Sequence, residues 1–508
     1  MTNPLYDRLF GCHEDSTAPF LRLPDGSVIT YGAFIAMAGR LAGVLVGQGL
    51  RPGDRLAVQV GKSPEALALY AAAVRTGVVF LPLNTAYTVQ EMEYFITDSD
   101  ARMVVAGAES AEALRPVTEK AGRVLMLLNT DGSGSLMDAA AQMTGDTAPA
   151  SRKIDDLAAL LYTSGTTGRS KGAMLTQGNL LSNAEVLVGL WQFTARDRLI
   201  HALPIYHVHG LFVATNVMLL AGGEMIFMPG FDADAIIDAM DGATTLMGVP
   251  TFYTRLLDSP RLGHQAASSM RLFISGSAPL LASTHEDFAA RTGQRILERY
   301  GMTETGMNTS NPYDGDRRAG TVGLPLPGVE VIVTDPETEM PCAAGSTGMI
   351  EVRGPNVFTG YWGMPEKTAA ELRDNGFFIT GDLGVIDDDG YVTIVGRNRD
   401  LIISGGFNIY PREIELLIDA ATGVRESAVF GVPHPDFGET PVALIVAEQD
   451  ESPDLDAIAT ALGQSLARFK HPRHMEIVTA LPRNTMGKVQ KNILRDQYAR
   501  LFADPGKG

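Results

Sequence analysis

The sequence predicts an α/β protein. A large N-terminal domain of parallel-rich sheets covered by helices carries a β-rich subdomain, and a small α+β domain follows at the C-terminus. Three observations predict this. Over the first 330 residues, short apolar runs alternate with helical-period segments and polar loops, as expected of parallel strands joined through helices. Near residue 348 the texture changes to short strands around an Asp-Asp-Gly turn at 388–390. After Asn398 the pattern resets into about 110 residues of mixed helix and strand, enough for a separate domain. The expected boundaries are therefore 1–398, with the β-rich subdomain at about 320–398, and 399–508.

Helices are expected at 31–49 and 63–77, which are amphipathic or alanine-rich, and strands at 55–60, 102–106, 158–162, 198–203, 224–228, 244–248 and 270–275. In the last 110 residues the order reads helix 410–420, strands 428–432 and 442–447, helix 455–467 and strand 474–479. Several early strands end in polar or glycine-rich loops: PIYHVHG after Leu203, GVPTFY after Met247, SGSAPL after Ile274 and ERYGMTET after Leu297. Ligands of open α/β sheets bind beyond the carboxyl ends of strands, where such loops gather. With the glycine-rich loop described next, five loops are expected to feed one large site.

The segment at 157–172, LAALLYTSGTTGRSKG, runs from an apolar strand into residues that are nearly all Gly, Ser, Thr and Lys. Gly165, Gly168 and Gly172 permit tight turns, so successive N–H groups can point at one anion. Thr163, Ser164, Thr166 and Thr167 add hydroxyl donors, and Lys171 adds charge. A nucleoside triphosphate is the expected ligand. A Walker A loop is excluded because Lys171 is followed by Gly172 rather than Ser or Thr. The match of GRSKG to a serine-hydrolase elbow is rejected because seven loop residues, 163–169, separate it from the strand.

Composition narrows the partners. A chain of 508 residues, 45% hydrophobic and 20% charged, is large enough for at least two domains. Its 41 basic and 59 acidic residues give −18, which argues against general nucleic-acid binding. Cys12 and Cys342 are far apart and form no C-x-x-C pair, so a reducing compartment is expected. Neither a signal peptide nor a membrane-length apolar run is visible, which predicts a cytoplasmic protein without a membrane partner.

Other motifs are individually modest. RYGMTET offers the Thr303 hydroxyl and the Glu304 carboxylate, which would suit Mg²⁺ beside phosphate; read alone, Thr303 is equally a helix cap. Asp382 of ITGDLG is placed to accept from a sugar diol or to close a turn. Arg397 and Arg399 lie at the domain junction, where linker charges are ordinarily solvated. Lys488 of PRNTMGKVQK sits on a Gly-flanked turn that could deliver positive charge to an anionic transition state, or remain in solvent. His207 and His209 form H-x-H with no third metal ligand in usable spacing, so His207 reads as a pocket wall.

Taken in order over nearly the whole chain, YTSGTTGRSKG, YGMTET, TGD, GRNRD, GGFNIYP and PRNTMGKVQK resemble the adenylate-forming superfamily of acyl-CoA synthetases. The resemblance is strongest to its malonate-activating members, through ALPIYHVHGLFVA, LMGVPTFYTRLL and LERYGMTET. It implies that a carboxylate attacks the α-phosphate of MgATP, and that the CoA thiol then displaces AMP from the acyl-adenylate. It also implies that the C-terminal domain is mobile and rotates between the two steps.

By the same resemblance, Thr163, Ser164, Gly165, Thr166, Thr167, Gly168 and Lys171 would hold the β- and γ-phosphates. Ser277, Ala278 and Pro279 with Glu298 and Tyr300 would wall the adenine, and Gly301, Met302 and Thr303 would complete the nucleotide set near the α-phosphate. Asp382 and Arg397 would hold the ribose, Glu304 the Mg²⁺, and Lys488 the developing charge. Gly405 and Gly406 would pass the pantetheine arm of CoA, with Phe437, Lys470 and Arg473 near its nucleotide. Two positions depart from the common pattern: the hinge residue is Arg399 where many relatives carry Asp or Lys, and Ser170 stands where many carry Pro.

The acid is read from Arg299, where many relatives that take simple acids have a small residue. A buried guanidinium needs an anion, and a second substrate carboxylate would supply one in a bidentate pair. With His207 and Met302 beside Arg299, a short pocket suits malonate, and methylmalonate adds only a methyl. A protein carboxylate paired with Arg299 would remove that argument, leaving another short mono- or dicarboxylic acid. Transfer to a carrier-bound pantetheine is the alternative to free CoA.

Overall fold

In the computed structural model, which describes residues 2–163, 170–404, 407–449, 451–484 and 487–502, local signals set the element boundaries. Helix Pro64–Thr76 shows how. Ser63 caps its start by accepting the Ala66 amide, Pro64 occupies the first turn, and Gly77 ends it at φ +70°.

Two large sheets form the bulk of the N-terminal region. One runs Val124–Leu127, Met103–Ala106, Arg55–Gln59, Val79–Pro82, Leu157–Thr163 and Lys171–Thr176. Its neighbours are parallel except the last two, which form an antiparallel pair with Thr163 opposite Lys171. The other has nine strands. Its parallel centre runs Leu297–Met302, Leu272–Ser275, Thr245–Gly248, Arg198–His201, Glu224–Phe227 and Pro19–Arg22, with antiparallel strands at both edges. Buried side chains from Leu5 to Val392 join these sheets and their helices in one core.

A four-stranded antiparallel sheet follows: Glu330–Thr334, Gly348–Arg353, Phe378–Ile386 and Val392–Arg397. Val331, Val352, Phe378 and Val392 pack into the large core, so this sheet is fused to it. From residue 402 onward a separate sheet, centred on Val424–His434 and Gly438–Ala447, has its own apolar cluster on each face. Helices Pro411–Asp419 and Leu455–Ser465 cover one face and Lys491–Tyr498 the other. Among the described residues, no helix is long and apolar enough to cross a membrane.

The structure corrects several expected loops. ERYGMTET is mostly strand: Leu297–Met302 continues to the turn at 303–305 and returns as Gly306–Ser310. PIYHVHG runs directly into a π-helix, His209–Thr215, and GVPTFY shrinks to Val249 between a strand end and helix Pro250–Asp258. Strand Lys171–Thr176 was not anticipated, because its KGAMLT pattern lacks β-branched enrichment. It pairs antiparallel with Leu157–Thr163, with Thr163 opposite Lys171.

Candidate active site

The carboxyl ends of the central strands open onto a cavity of about 440 Å³. Its wall combines Thr163 and Lys171, His207 and His209, Ser277, Arg299, residues 301–304, the β-rich sheet, and Lys488 from the C-terminal domain. Strand geometry explains part of the selection. Alternate residues of Leu297–Met302 face opposite sides, so Arg299 and Gly301 line the cavity while Glu298 and Tyr300 do not.

At one end lies a chain of oxygen contacts. The Tyr361 hydroxyl spans Glu304 Oε1 at 3.1 Å and Glu371 Oε2 at 2.7 Å, and Lys171 Nζ sits 3.3 Å from Glu371 and 4.4 Å from the Tyr361 ring centre. Burial raises the Glu304 pKa, while Lys367, Tyr361 and Lys171 hold that of Glu371 down against its own burial. Glu304 itself makes no ion pair among the described residues. A buried, cavity-facing carboxylate with a neutral hydrogen-bond donor as partner fits a hard divalent cation shared with phosphate oxygens.

A second group links the strands of the β-rich sheet to the large core. Tyr300 donates to Asp382 Oδ2 at 2.5 Å, and Arg397 Nε lies 2.5 Å from Asp382 Oδ1. Arg397 is therefore paired rather than solvated. Burial and the adjacent Asp382 keep the Tyr300 phenol well above its ordinary pKa. Arg399 lines the same cavity, 4.0 Å from Asp400, and its carbonyl accepts from Arg495.

Lys488 arrives on a tight turn, in which the Lys488 amide donates to Asn484 Oδ1 and the Asn484 amide to the Lys488 carbonyl, both at 2.9 Å. Gly487 has φ +74°, and a Cβ there would lie 2.8 Å from Thr251 Oγ1 at the start of helix Pro250–Asp258. Only glycine meets both demands. An ion pair at 3.3 Å between Arg425 and Asp258 adds to the docking of the two domains. Burial and the neighbouring Arg397 push the Lys488 pKa down to about 8.

The opposite end is walled by Arg299, His207 and His209. Arg299 is 2% exposed, it forms no ion pair among the described residues, and its Nε and Nη2 lack hydrogen-bond partners there. Burial pushes its pKa down to about 9. A Cβ at Gly276 would stand 2.5 Å from Arg299 Cζ, so glycine is what lets the guanidinium lie against the backbone. His209 Nδ1 is 3.3 Å from Ser277 Oγ, and burial holds His207 at about 4 and His209 well below its usual value. Both imidazoles are neutral at physiological pH.

Other expected residues fall elsewhere. Ala278, Pro279 and Glu298 are not part of the cavity wall. Glu298 lies behind that loop, where it accepts the Leu280 amide at 3.4 Å and burial pushes its pKa to about 8. Phe437 and Arg473 pack together, with the guanidinium 4.3 Å from the ring centre, whereas Lys470 is paired with Glu413 at 2.7 Å. All three are away from the cavity. Ser164, Gly165, Thr166, Thr167, Gly168, Gly405 and Gly406 lie outside the described residues. Sequence reasoning missed Tyr361, Glu371 and Asn484. The signals available were the TGYW aromatic pair and the Asn of PRNTMGK.

The chain matches the AMP-binding enzyme family over residues 11–362 and the C-terminal domain of that family over residues 413–488. It is 57% identical to MatB from Rhodopseudomonas palustris, whose ATP-bound crystal structure superposes with a TM-score of 0.97, covering 99% of this chain and 100% of that one. The apo form of the same protein scores 0.86, so the structure as a whole is nearer the ATP-bound form. A malonate–CoA ligase of Arabidopsis thaliana is 34% identical, with 93% of this chain and 85% of the relative covered. A feruloyl-CoA synthase of an Amycolatopsis species is 36% identical, with 93% and 94% covered. With matches that span both of its domains, the chain belongs to the family of AMP-binding enzymes.

Proposed function

We propose that this enzyme is an ATP-dependent malonate–CoA ligase that makes malonyl-CoA, AMP and pyrophosphate through a malonyl-adenylate, and that it also accepts methylmalonate. The observation that carries the substrate is Arg299, a buried cation in the cavity wall that pairs with no carboxylate among the described residues. The relatives named for malonate and for ferulate are 34% and 36% identical, whereas MatB, at 57%, is much more similar than either. The second carboxylate of malonate would satisfy Arg299 and leave the first directed toward Thr303 and Lys488.

In the first half-reaction the free carboxylate oxygen attacks the α-phosphorus of ATP and pyrophosphate leaves. Thr303 and Lys488 would meet the charge that develops on the α-phosphate oxygens, and Lys171 would exchange Glu371 for the triphosphate. Asp382, already held by Tyr300 and Arg397, would accept from the ribose diol. Glu304 would hold Mg²⁺, which when bound neutralises phosphate charge. For the second half, the domain boundary at 398/399 and Arg399 would serve as the hinge. Rotation would withdraw Lys488 and bring Gly405 and Gly406 to the site, with Phe437, Lys470 and Arg473 near the CoA nucleotide. The thiol then attacks the acyl carbon and AMP leaves.

The direct test supplies MgATP, free CoA and a panel of acetate, propionate, malonate, methylmalonate and succinate, and identifies the thioester by mass. Malonyl-CoA is the expected main product. Dominant acetyl- or propionyl-CoA would discard the role of Arg299, and no thioester at all would turn attention to a carrier-bound acceptor.

Two further expectations arise from the same geometry. Lys488 must be charged to act, and its pKa is pushed to about 8, so kcat/KM for ATP should fall as pH rises above about 8. A Lys488→Arg variant keeps its charge and should lose that alkaline limb, whatever activity it retains. Replacement of Tyr361 by Phe leaves two carboxylates without their shared donor, a change of about 1–3 kcal/mol. A Mg²⁺ requirement raised about tenfold is expected; an unchanged Mg²⁺ titration would show that Tyr361 does not orient Glu304.

A further inference from the structure

Lys62 is half-buried and lies outside the cavity wall, yet it joins the two large sheets at their carboxyl ends. It follows strand Arg55–Gln59 of one sheet, and its Nζ reaches the last residue of strand Arg198–His201 in the other. Nζ is 2.8 Å from His201 Nδ1, 2.7 Å from the His201 carbonyl and 4.4 Å from the centre of the Phe227 ring. Among the described residues no carboxylate pairs with it. Burying a lysine in this way is costly, and burial holds its pKa well below the usual value.

The hydrogen-bond directions are fixed by elimination. His201 Nε2 lies 2.9 Å from the Gly210 carbonyl, which can only accept, so Nε2 carries the hydrogen. Burial and the nearby Lys62 hold the imidazole at about 3, so the ring is neutral and Nδ1 keeps its lone pair. Lys62 is thus the donor to Nδ1. The relay ends on a crowded backbone: a Cβ at Gly210 would meet the Pro204 carbonyl oxygen at 2.0 Å, and Thr215 Oγ1 donates to the same Gly210 carbonyl at 2.9 Å. Gly210 belongs to π-helix His209–Thr215, an irregular turn that recurs at functional sites. His207, just before that turn, and His209, its first residue, both face the cavity.

We propose that Lys62 is a positioning residue for acid binding: through His201 and the Gly210 carbonyl it fixes where His207 and His209 stand, and thereby the fit of the acyl substrate. The inference rests on the reading that the acid occupies the part of the cavity walled by Arg299, His207 and His209.

Lys62→Met keeps the length and removes the donors. The expected result is a KM for the acid raised about tenfold, with kcat and the KM for ATP within twofold of the parent enzyme. Equal rises in both KM values, or no change in either, would overturn the assignment. If the variant does not fold, long-range ¹H–¹⁵N correlation spectra of the parent enzyme with labelled histidine decide, with His201 identified by His201→Gln. A neutral Nε2–H tautomer that persists from pH 6 to 8 is expected, and an Nδ1–H tautomer or a titrating ring would refute the relay. Kinetics are run with whichever acid the panel shows to be activated. Failure of malonate would therefore defeat the substrate reading alone, and failure of the KM split would defeat the role of Lys62 alone.

Discussion

Lys488→Ala should lower the rate of adenylation, read as acid-dependent ATP–pyrophosphate exchange, by at least 10²- to 10³-fold, while thioester formation from supplied malonyl-adenylate stays within a few-fold. The magnitude is that of removing one preorganised donor from a developing oxyanion, about 3–4 kcal/mol. The asymmetry follows from the docked turn. Lys488 reaches the cavity because Gly487 sits against Thr251 and Asn484 closes the turn, and these contacts belong to one domain arrangement. The structure as a whole is nearer ATP-bound MatB, whereas the second half-reaction would use the opposite face of the small domain. Equal loss in both half-reactions would mean that Lys488 supports the fold or acts in both steps, and the assigned role would fail.

The same turn shows what can and cannot be read from a sequence. PRNTMGK marks a turn with a lysine next to glycine, but nothing in it says that the lysine is held beside Arg397, 91 positions earlier in the chain. The elements themselves were largely legible, because apolar periodicity and capping residues such as Ser63 and Gly77 act within a few positions. Where expectation erred, a long-range pairing decided. ERYGMTET reads as a polar loop, yet the antiparallel partner Gly306–Ser310 draws it into a strand and so turns Arg299 toward the cavity and Glu298 away. KGAMLT is weak as a strand alone and becomes one by pairing with Leu157–Thr163. Tyr361 and Glu371 were invisible for a related reason: their relation to Glu304 and Lys171 exists only once the chain places segments up to 200 residues apart side by side.

Arg299→Met should lower kcat/KM for malonate by about 10²- to 10³-fold and change that for propionate by no more than about threefold. The loss is large because the substrate anion would be left in a buried site without its cation, the situation in which one partner of a buried pair costs about 3–5 kcal/mol. Propionate has no second charge to lose. The same substitution should stabilise the free enzyme. Arg299 sits 2% exposed, two of its nitrogens lack hydrogen-bond partners among the described residues and its pKa is pushed down to about 9, so the resting protein bears a desolvation cost that a bound anion would offset. Methionine fills a similar volume with apolar atoms and removes that cost, so the melting temperature without ligand should rise, while the further rise that malonate gives the parent enzyme should vanish. A purely structural arginine would give the reverse, with lower stability and equal losses on both acids. The combination of a more stable protein with a selective loss on the diacid is therefore the result that separates a site kept strained for its ligand from one built only to fold.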